Sequence, residues 1–269
     1  MKITDNGYRL PEIFAQAFHE SFTTSANKPL LITGVDKATG EQTDCVVKLK
    51  GAERMSNEAS MRELLACFIS MELDLPVVSP AIVEITPQFV QTLRGNDSWQ
   101  PANKSLGYNF GSINIIDHKT LIINQPLNNH QLIHAQNAFV FDMFIQNSDR
   151  TNNKPNILTN GNDIIMLDHE IAFGFVFAPF LPTKIWEMQE AGKEWIRNHC
   201  LLPLIKGKEY DYDEFSEKLN ILNDAFWNRA KDLIPAEWMT DQFDSIKTKL
   251  SEIINEKEKF ILELKKIMS

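Results

Sequence analysis

The sequence predicts an α+β fold in which a strand-rich N-terminal part is followed by a helix-rich C-terminal part. In the N-terminal part, short runs of Leu, Ile and Val alternate with turn-forming residues, which is typical of strands. In the C-terminal part, long segments place apolar residues at helical spacing. With 269 residues, 43% of them hydrophobic, the chain can bury one large core or two smaller lobes.

Composition and charge exclude several classes of function. No run approaches the roughly 18 to 20 apolar residues of a membrane span, and the first residues lack the basic patch and apolar run of a signal peptide. The net charge of −9 argues against non-specific binding to nucleic acid or anionic membranes. Three widely spaced cysteines fit neither a complete disulfide scheme nor a zinc site. We therefore expect a cytoplasmic protein that binds neither membranes nor nucleic acid.

The N-terminal part is expected to contain four strands and one helix. A turn-forming stretch from Asp36 to Gly40 separates the first two strands and makes them a hairpin. The helix has neither Pro nor Gly and carries an apolar face. A stretch rich in Gly, Asn, Ser and Pro then predicts a connecting segment. The predicted strands are 30–34, 44–49, 81–85 and 89–93, the helix is 57–73, and the connecting segment is 94–111.

The C-terminal part is expected to be built around one buried helix, 129–146, which is apolar on nearly every side. Two short strands joined by the turn Asn160-Gly161-Asn162 follow it. Further helical patterns then run to the end of the chain. The last one is long and amphipathic, and it either packs on the body of the protein or contacts a partner. The predicted strands are 156–158 and 164–167, and the later helices are 183–198, 213–233 and 240–268.

A polar segment directly after the buried helix is the most informative part of the sequence. It contains Asp149 and Asn156, and Asp168 ends the next apolar run. Phosphoryl transfer requires an Asp that orients the attacking hydroxyl, an Asn and a second Asp that hold Mg²⁺, and a Lys that neutralises the phosphates. Taken alone, Asp149 and Asn156 are better explained as turn caps. The ordered set of three after a buried helix favours a magnesium-dependent site.

The residues around this set resemble the HipA-like kinases, and most closely a short bacterial branch of that family. The branch has Asp-Arg-Thr, then Asn-Pro-Asn-Leu-Leu, then Ile-Asp-His-Gly. The corresponding residues here are Asp149-Arg150-Thr151, Lys154-Pro155-Asn156-Ile157-Leu158 and Leu167-Asp168-His169-Glu170. Lys154 therefore replaces an Asn, and Glu170 replaces a Gly. By this resemblance Asp149 is the catalytic Asp, and Asn156 and Asp168 are metal ligands, with Asn153 a competing ligand.

The resemblance continues upstream. Cys45-Val46-Val47-Lys48-Leu49 is similar to the strand that carries the phosphate-binding lysine, with Lys50 as the rival to Lys48. A buried lysine requires a partner, and the residues around Glu63 and Pro76 resemble the family's Asn-Glu…Gly-Leu-Pro-Val helix. The resemblance thus implies that Glu63 pairs with Lys48, with Glu58 as the alternative.

A segment around Phe110 and Gly111 resembles a Phe-Gly-Ser stretch of the same branch. Glycine there permits a close approach to the nucleotide or a hinge, although a plain loop explains it equally well. Asp142 lies on the apolar helix and must be hydrogen-bonded, so we expect it to brace the polar segment. His169 is expected to be structural. His130 and His134 share a helix face, but the sequence shows no third ligand, so we expect no metal there.

The resemblance implies a two-lobed, protein-kinase-like fold, with an N-terminal lobe of residues 1–105 and a C-terminal lobe of residues 106–269. It also implies ATP and Mg²⁺ as cofactors, and transfer of the γ-phosphate to a Ser or Thr of a protein. Three alternatives stay open. They are a kinase-fold enzyme that acts on a small molecule or transfers AMP, a catalytically silent nucleotide-binding module, and an interaction protein that uses its C-terminal helix.

Overall fold

A five-stranded barrel forms the N-terminal part of the protein, seen here in a computed structural model that describes residues 1–23, 25, 27–123, 125–177, 184–188 and 194–269. The strand order around the barrel is β1-β2-β3-β5-β4. Only β1 and β4 pair in parallel; the other neighbours are antiparallel. The strands are β1 (Glu12–Ser21), β2 (Leu30–Asp36), β3 (Gln42–Lys48), β4 (Pro80–Ile85) and β5 (Gly107–Ile113).

The predicted hairpin is confirmed as β2 and β3. Its turn forms because the Asp36 carboxylate accepts hydrogen bonds from the backbone N–H groups of Ala38 and Thr39, at 2.9 and 3.2 Å. Gly40 completes the turn with a φ of 74°, a conformation that glycine adopts without strain. Alternate residues of both strands, such as Ile32 and Val47, fill the inside of the barrel.

Helix α1 (Asn57–Glu72) connects β3 to β4 and confirms the predicted helix. Ser56 caps its start by accepting a hydrogen bond from the backbone N–H of Ala59 at 3.2 Å. The helix is buried on almost every side because it lies between the barrel and the helical part of the protein. After it, Pro76 and Val78 form backbone hydrogen bonds with Met166, which ties the two parts together.

The C-terminal part is helical and packs around α4 (Asn129–Ile145), which confirms the predicted buried helix. Asn128 and Gln131 form a reciprocal capping box at its start. A small sheet beside it has the order β6-β7-β8, with β6 (Lys119–Thr120), β7 (Ile157–Thr159) and β8 (Ile165–Met166). The other helices are α2 (Pro87–Thr92), α3 (Trp99–Asn103), α5 (Glu194–Arg197), α6 (Leu202–Ile205), α7 (Tyr212–Lys218), α8 (Asp224–Leu233), α9 (Asp241–Asn255) and α10 (Lys257–Met268).

Two predictions for residues 86–113 were wrong. The strand predicted at 89–93 is helix α2, because Thr86 caps the N–H of Phe89 and Pro87 occupies the first helical turn. The segment predicted as a connection contains α3 and all but the end of β5. Since β5 pairs with both β3 and β4, the barrel extends to Ile113. The division between residues 105 and 106 stays a prediction, and β5 favours a later boundary.

The ends of several helices also differ from the prediction. The pattern at 240–268 is two helices, α9 and α10, which are separated at Glu256. The pattern at 213–233 is likewise divided into α7 and α8. Of the helix predicted at 183–198, residues 183 and 189–193 lie outside the described part of the chain, and Glu194–Arg197 is helical. Strand β1 was not predicted, because its outer residues follow no regular polar alternation. Among the described helices, none is long and apolar enough to cross a membrane.

Candidate active site

Lys48, at the end of β3, is surrounded by three carboxylates. Its Nζ lies 2.9 Å from Glu63 Oε2 and 2.5 Å from Glu170 Oε2, and it also donates to Asp168 Oδ1. The three acids come from two places, α1 and the segment after β8. The side chain of Lys48 is only 11% exposed. An ammonium in such a place is stable only when it is paired, so this cluster joins the barrel, α1 and the helical part.

The strand geometry explains why Lys48 enters the cluster. Val47 points into the barrel and is fully buried, so the next residue points outward, toward α1. The rival Lys50 instead pairs with Glu237 at 3.1 Å on the surface. The alternative partner Glu58 is hydrogen-bonded to Ser56 at the start of α1. The geometry thus brings Lys48 to Glu63 and leaves both alternatives outside the cluster.

The segment after β8 is held in place by α1. The backbone N–H of His169 donates to Glu63 Oε2 at 2.7 Å, and Arg62 Nε donates to the backbone carbonyl of Glu170 at 2.8 Å. Asp168 has a φ of 67°, in the left-handed region that Asp tolerates better than most residues. Glu63 therefore has two functions, since it pairs with Lys48 and also fixes the backbone that presents Asp168.

The cluster contains more acid than one ammonium can balance. Burial alone would lower the pKa of Lys48, but Asp168, Glu63 and Glu170 raise it well above its usual value. Burial raises the pKa of Glu63 despite Lys48. Burial also raises the pKa of Glu170, against the effect of Lys48 and with a further contribution from Asp168. The pKa of Asp168 is lowered, because Lys48 outweighs its burial. Asp168 is thus the acid that holds its charge most firmly.

Arg150 organises the polar segment that follows α4. The guanidinium is fully buried and donates to both carboxylate oxygens of Asp142 and to the backbone carbonyl of Asn156. It also donates to His169 Nε2 at 3.2 Å, so the ring of His169 is an acceptor there. Burial, reinforced by the Arg150 charge, lowers the pKa of His169 to about 3. One arginine therefore connects α4, the polar segment and the residue after Asp168.

Asp142 braces the segment in the way that the sequence predicted. It accepts hydrogen bonds from Asn147 Nδ2 at 2.9 Å and from His199 Nε2 at 3.0 Å, in addition to those from Arg150. Burial alone would raise its pKa, but Arg150 and His199 hold the pKa of Asp142 far below its usual value. Asp149 lies at the outer side of this network, partly exposed, with Lys154 Nζ at 3.4 Å from its Oδ2.

Asn156 and Asp168 lie next to each other across the β7–β8 hairpin. Ile157 pairs with Met166, and the N–H of Leu167 donates to the Asn156 carbonyl at 3.2 Å. The Nδ2 atom of Asn156 is buried and has no hydrogen-bond partner within the described part of the chain. Asn153, the competing ligand, is exposed. The Asp168 carboxylate and the Asn156 side-chain amide supply oxygen ligands of the kind that a hard divalent cation such as Mg²⁺ prefers.

Phe110 and Gly111 lie on opposite faces of β5. Phe110 is opposite Lys48 in the sheet, and its ring centroid is 5.9 Å from Lys48 Nζ. Gly111 faces into the barrel, where an added Cβ would come within 2.5 Å of Val83 Cγ2. The absence of a side chain at Gly111 therefore has a packing reason, and its nucleotide-binding role stays a prediction, as does that of Phe110.

Comparison with known protein families identifies the family of this chain. A model of the HipA-like kinases matches residues 40–264, which include every residue of the cluster. The chain belongs to the HipA-like kinase family. Among solved structures it resembles the crystal structure of the Helicobacter pylori proinflammatory kinase CtkA, with 11% identity and a TM-score of 0.46 over 93% of this chain and 94% of that chain. No curated protein matches it.

Within this HipA-like kinase, the structure adds residues that sequence reasoning missed. Glu170 was noted only as a replacement for Gly, yet it contacts Lys48. Asn27 lies in the turn between β1 and β2 and was not singled out from the sequence. Its Nδ2 donates to Glu170 Oε1 at 2.8 Å. Arg150 was quoted as part of a motif without a role. The signal for Arg150 was its place directly after Asp149, in the polar segment that follows the buried helix, whereas Asn27 carried no signal.

A second group of possible ligands lies outside the cluster. His130, His134 and Asp163 place ligand atoms within 4.8 Å of one another, and the Nε2 atoms of the two histidines are 3.3 Å apart. The structure thus supplies a third candidate ligand, which the sequence had not shown. The His130 side chain is 53% exposed and pairs with Asp163 at 3.5 Å, and a histidine pair on a solvated helix face explains the group adequately.

Proposed function

We propose that this HipA-like kinase is an ATP- and Mg²⁺-dependent protein kinase that transfers the γ-phosphoryl group of ATP to a Ser or Thr hydroxyl. Membership of the family supports a kinase-like phosphotransferase. The observation that carries the proposal further is the meeting of Lys48, Glu63 and Asp168, from three separate elements, in one nearly buried cluster. Protein kinases require such a lysine, its glutamate partner and a metal-binding aspartate.

In this proposal Lys48 binds the phosphates of ATP. Its ammonium is charged at any physiological pH, because the surrounding acids raise its pKa. Glu63 does not need to contact the nucleotide. It holds Lys48 at 2.9 Å and, through the N–H of His169, fixes the position of the backbone beside Asp168. Glu63 is therefore a positioning residue.

Asp168 and Asn156 are the proposed holders of the metal ion. Both present oxygen ligands, which Mg²⁺ prefers, and the β7–β8 hairpin keeps them adjacent. When bound, Mg²⁺ neutralises charge on the phosphates and orients them for in-line attack. Asp168 is suited to the part because its pKa is lowered and its carboxylate stays ionised.

Asp149 is the proposed base. It is the most accessible acid of the set, with a side chain that is 22% exposed, and its backbone is held by Asn147 and the neighbouring Arg150 network. An acceptor hydroxyl that entered from solvent would reach Asp149 before the buried acids. Asp149 would orient that hydroxyl and accept its proton as the bond to phosphorus forms. Lys154 Nζ lies 3.4 Å from the Asp149 carboxylate and pairs with it.

The remaining parts of the proposal concern location and partners. All three cysteines are free and buried, which agrees with a reducing compartment such as the cytoplasm. The apolar faces of α9 and α10, with Phe243, Leu250 and Phe260, pack into the core. A protein partner at the C-terminal helices would therefore bind their charged outer faces, and truncation there would open the core.

Labelled ATP tests the proposed reaction. With Mg²⁺ and a mixture of Ser- and Thr-containing protein substrates, or with the kinase itself as acceptor, we expect label from γ-labelled ATP to enter protein and label from α-labelled ATP to stay in solution. Asp149→Asn and Asp168→Asn should abolish transfer. Asp163→Asn, on the exposed turn of the β7–β8 hairpin, is the matched control and should keep full activity.

Each alternative gives a different result in the same assay. Incorporation of the α-label indicates AMP transfer. Label that enters only small molecules indicates a small-molecule kinase. A thermal shift with MgATP but no incorporation of either label indicates a silent nucleotide-binding module, and the absence of both effects refutes the proposal.

A further inference from the structure

Glu170 connects the lysine of the site to the first turn of the barrel. Its Oε2 accepts from Lys48 Nζ at 2.5 Å, and its Oε1 accepts from Asn27 Nδ2 at 2.8 Å. The residue is 7% exposed and its backbone carbonyl is held by Arg62. Both carboxylate oxygens and the backbone of Glu170 are thus committed to neighbours in three different elements.

The donors of Lys48 are fully used in this arrangement. An ammonium group has three N–H donors, and Lys48 directs them at Glu63, Asp168 and Glu170. A phosphate oxygen can therefore bind Lys48 only if one of these acids gives up its donor. Glu63 is held in place by the N–H of His169, and Asp168 is the proposed metal ligand. Glu170 has neither function.

The charges around Lys48 also indicate that an acid must give way before a phosphate can bind. The phosphates of ATP carry negative charge, and they must approach an ammonium that already faces three acidic side chains. Like charges in a site of low solvent exposure repel strongly. A cation bound at Asp168 would offset part of this repulsion, but Glu170 Oε2 would still occupy one N–H donor of Lys48.

Asn27 determines where that competing carboxylate is held. It lies in the turn between β1 and β2, is 5% exposed, and is flanked by Lys28, whose φ of 42° bends the chain. The backbone N–H of Phe22 donates to the carbonyl of Pro29 at 2.9 Å, which closes the turn on itself. The Oδ1 atom of Asn27 has no partner among the described residues. Within the described part of the chain, the hydrogen bond to Glu170 is thus the one that holds the Asn27 side chain in place.

We propose that Glu170, anchored by Asn27, is an internal competitor of the nucleotide phosphates for Lys48 and sets the affinity of the kinase for ATP. The proposal rests on the nucleotide-binding function proposed above. When ATP binds, Glu170 gives up its hydrogen bond from Lys48 to a phosphate oxygen. In the nucleotide-free state, Asn27 and Lys48 hold the Glu170 carboxylate.

The test is the affinity for MgATP of the full chain and of Glu170→Gln, measured by calorimetry. Glutamine keeps the size of the side chain and an oxygen for Asn27, but it places an amide N–H donor where a carboxylate oxygen accepts from Lys48. We expect MgATP to bind about tenfold more tightly, since a hydrogen bond from the Lys48 ammonium is being removed from the competing state. In the kinase assay KM for ATP should fall, with little change in kcat.

A second variant separates competition from a structural role. Asn27→Ala leaves Lys48 and Glu170 intact but frees Glu170 from its anchor, so MgATP should bind more tightly by a smaller factor. In the Glu170→Gln background the same change should have no further effect, because the two residues act through one contact. A purely structural role would lower Tm in both variants without tightening binding.

Glu237→Gln is the control, since it removes the acid partner of the neighbouring Lys50 and should leave MgATP affinity unchanged. Unchanged or weaker binding by Glu170→Gln overturns the proposal; weaker binding indicates that Glu170 helps to hold the bound cation. If the unaltered chain binds MgATP and Glu170→Gln binds it equally well, only the proposed competition by Glu170 is refuted. If neither binds, the nucleotide-binding function fails as well.

Discussion

The protein contains two buried ionic clusters, and they differ in how completely their charges are satisfied. In the first, Asp142 lies between Arg150 and His199, with every side chain fully buried and each polar contact internal. In the second, Lys48 faces three acids, and the side chains of Lys48 and Asp168 are 11% and 17% exposed. One positive charge matches one negative charge in the first cluster, whereas acids exceed the ammonium in the second.

This difference indicates what each cluster is for. A matched, fully hydrogen-bonded pair does not need a ligand, and its removal leaves an uncompensated charge in the core. Excess acid beside a partly open lysine is favourable only if a cation or another group arrives to balance it. The Arg150 cluster therefore holds the polar segment in place, whereas the Lys48 cluster has an excess of acid that a bound cation would balance.

Breaking the matched cluster should give the largest effect. Asp142→Asn leaves the Arg150 guanidinium buried without its counter-ion, and we expect a loss of about 3–5 kcal/mol in the free energy of unfolding. Urea denaturation followed by circular dichroism measures it. The partly exposed Asp149→Asn, seven residues along the chain, is the control and should lose less than about 1 kcal/mol. Equal losses would mean that Asp142 has no special structural role.

Breaking the unmatched cluster should instead affect activity. Asp168→Asn removes one of three acids from Lys48, so the free energy of unfolding should change by less than about 1 kcal/mol. Because the proposed metal ligand is lost, kcat/KM should fall by at least about 100-fold. Steady-state kinetics and urea denaturation of the same preparation give both values. A variant that unfolds but keeps specific activity would reverse the comparison.

A third variant sharpens the role of Gly111 beside the Lys48 cluster. Gly111→Ala places a methyl group against Val83, and overpacking of this kind costs about 1–3 kcal/mol. The double variant Gly111→Ala with Val83→Ala should recover most of the loss, as measured by thermal unfolding. If the double variant folds normally but binds ATP poorly, Gly111 serves the nucleotide as well as the barrel.

The smallest effect concerns the pH dependence of the matched cluster. Burial lowers the pKa of His199, against the opposing effect of Asp142. Below about pH 6.5, His199 is therefore protonated in the unfolded chain but not in the folded chain. Because the unfolded chain then binds more protons, the free energy of unfolding falls as the pH drops. Between about pH 7.5 and 5.5, the free energy of unfolding of His199→Gln should fall by about 1 kcal/mol less than that of the unaltered chain. The exposed His19→Gln is the control, and an unaltered slope in His199→Gln would show that folding does not change proton binding at His199.

Much of the site could be predicted because its residues lie close together in the chain. Asp149 lies in the polar segment before β7, Asn156 and Asp168 flank the β7–β8 hairpin, and the pairing of Lys48 with Glu63 follows from strand alternation and one helix. The buried helix 129–146 and the hairpin 30–49 were equally clear, because apolar periodicity and turn chemistry both mark them. The family resemblance supplied the roles that these patterns alone do not give.

The rest depended on contacts between distant residues. Asn27 reaches Glu170 across 143 positions of sequence, and no local pattern marks Asn27 as a partner of Glu170 or Glu170 as a partner of Lys48. Residues 89–93 carry apolar side chains that suit a strand. They form a helix because Thr86 caps its start and Pro87 occupies its first turn. Strand β1 closes the barrel through its parallel pairing with β4, and such long-range pairing leaves little trace in a single sequence.

The central claim is that Lys48, Asp168 and their neighbours bind a nucleotide through a divalent cation. The most direct test is calorimetric titration of ATP into the full chain and into Asp168→Asn, each with Mg²⁺ and with a chelator. We predict that Mg²⁺ greatly strengthens ATP binding by the unaltered chain and that Asp168→Asn loses most of this gain. The same dependence on Mg²⁺ in both proteins, or none in either, would contradict the account.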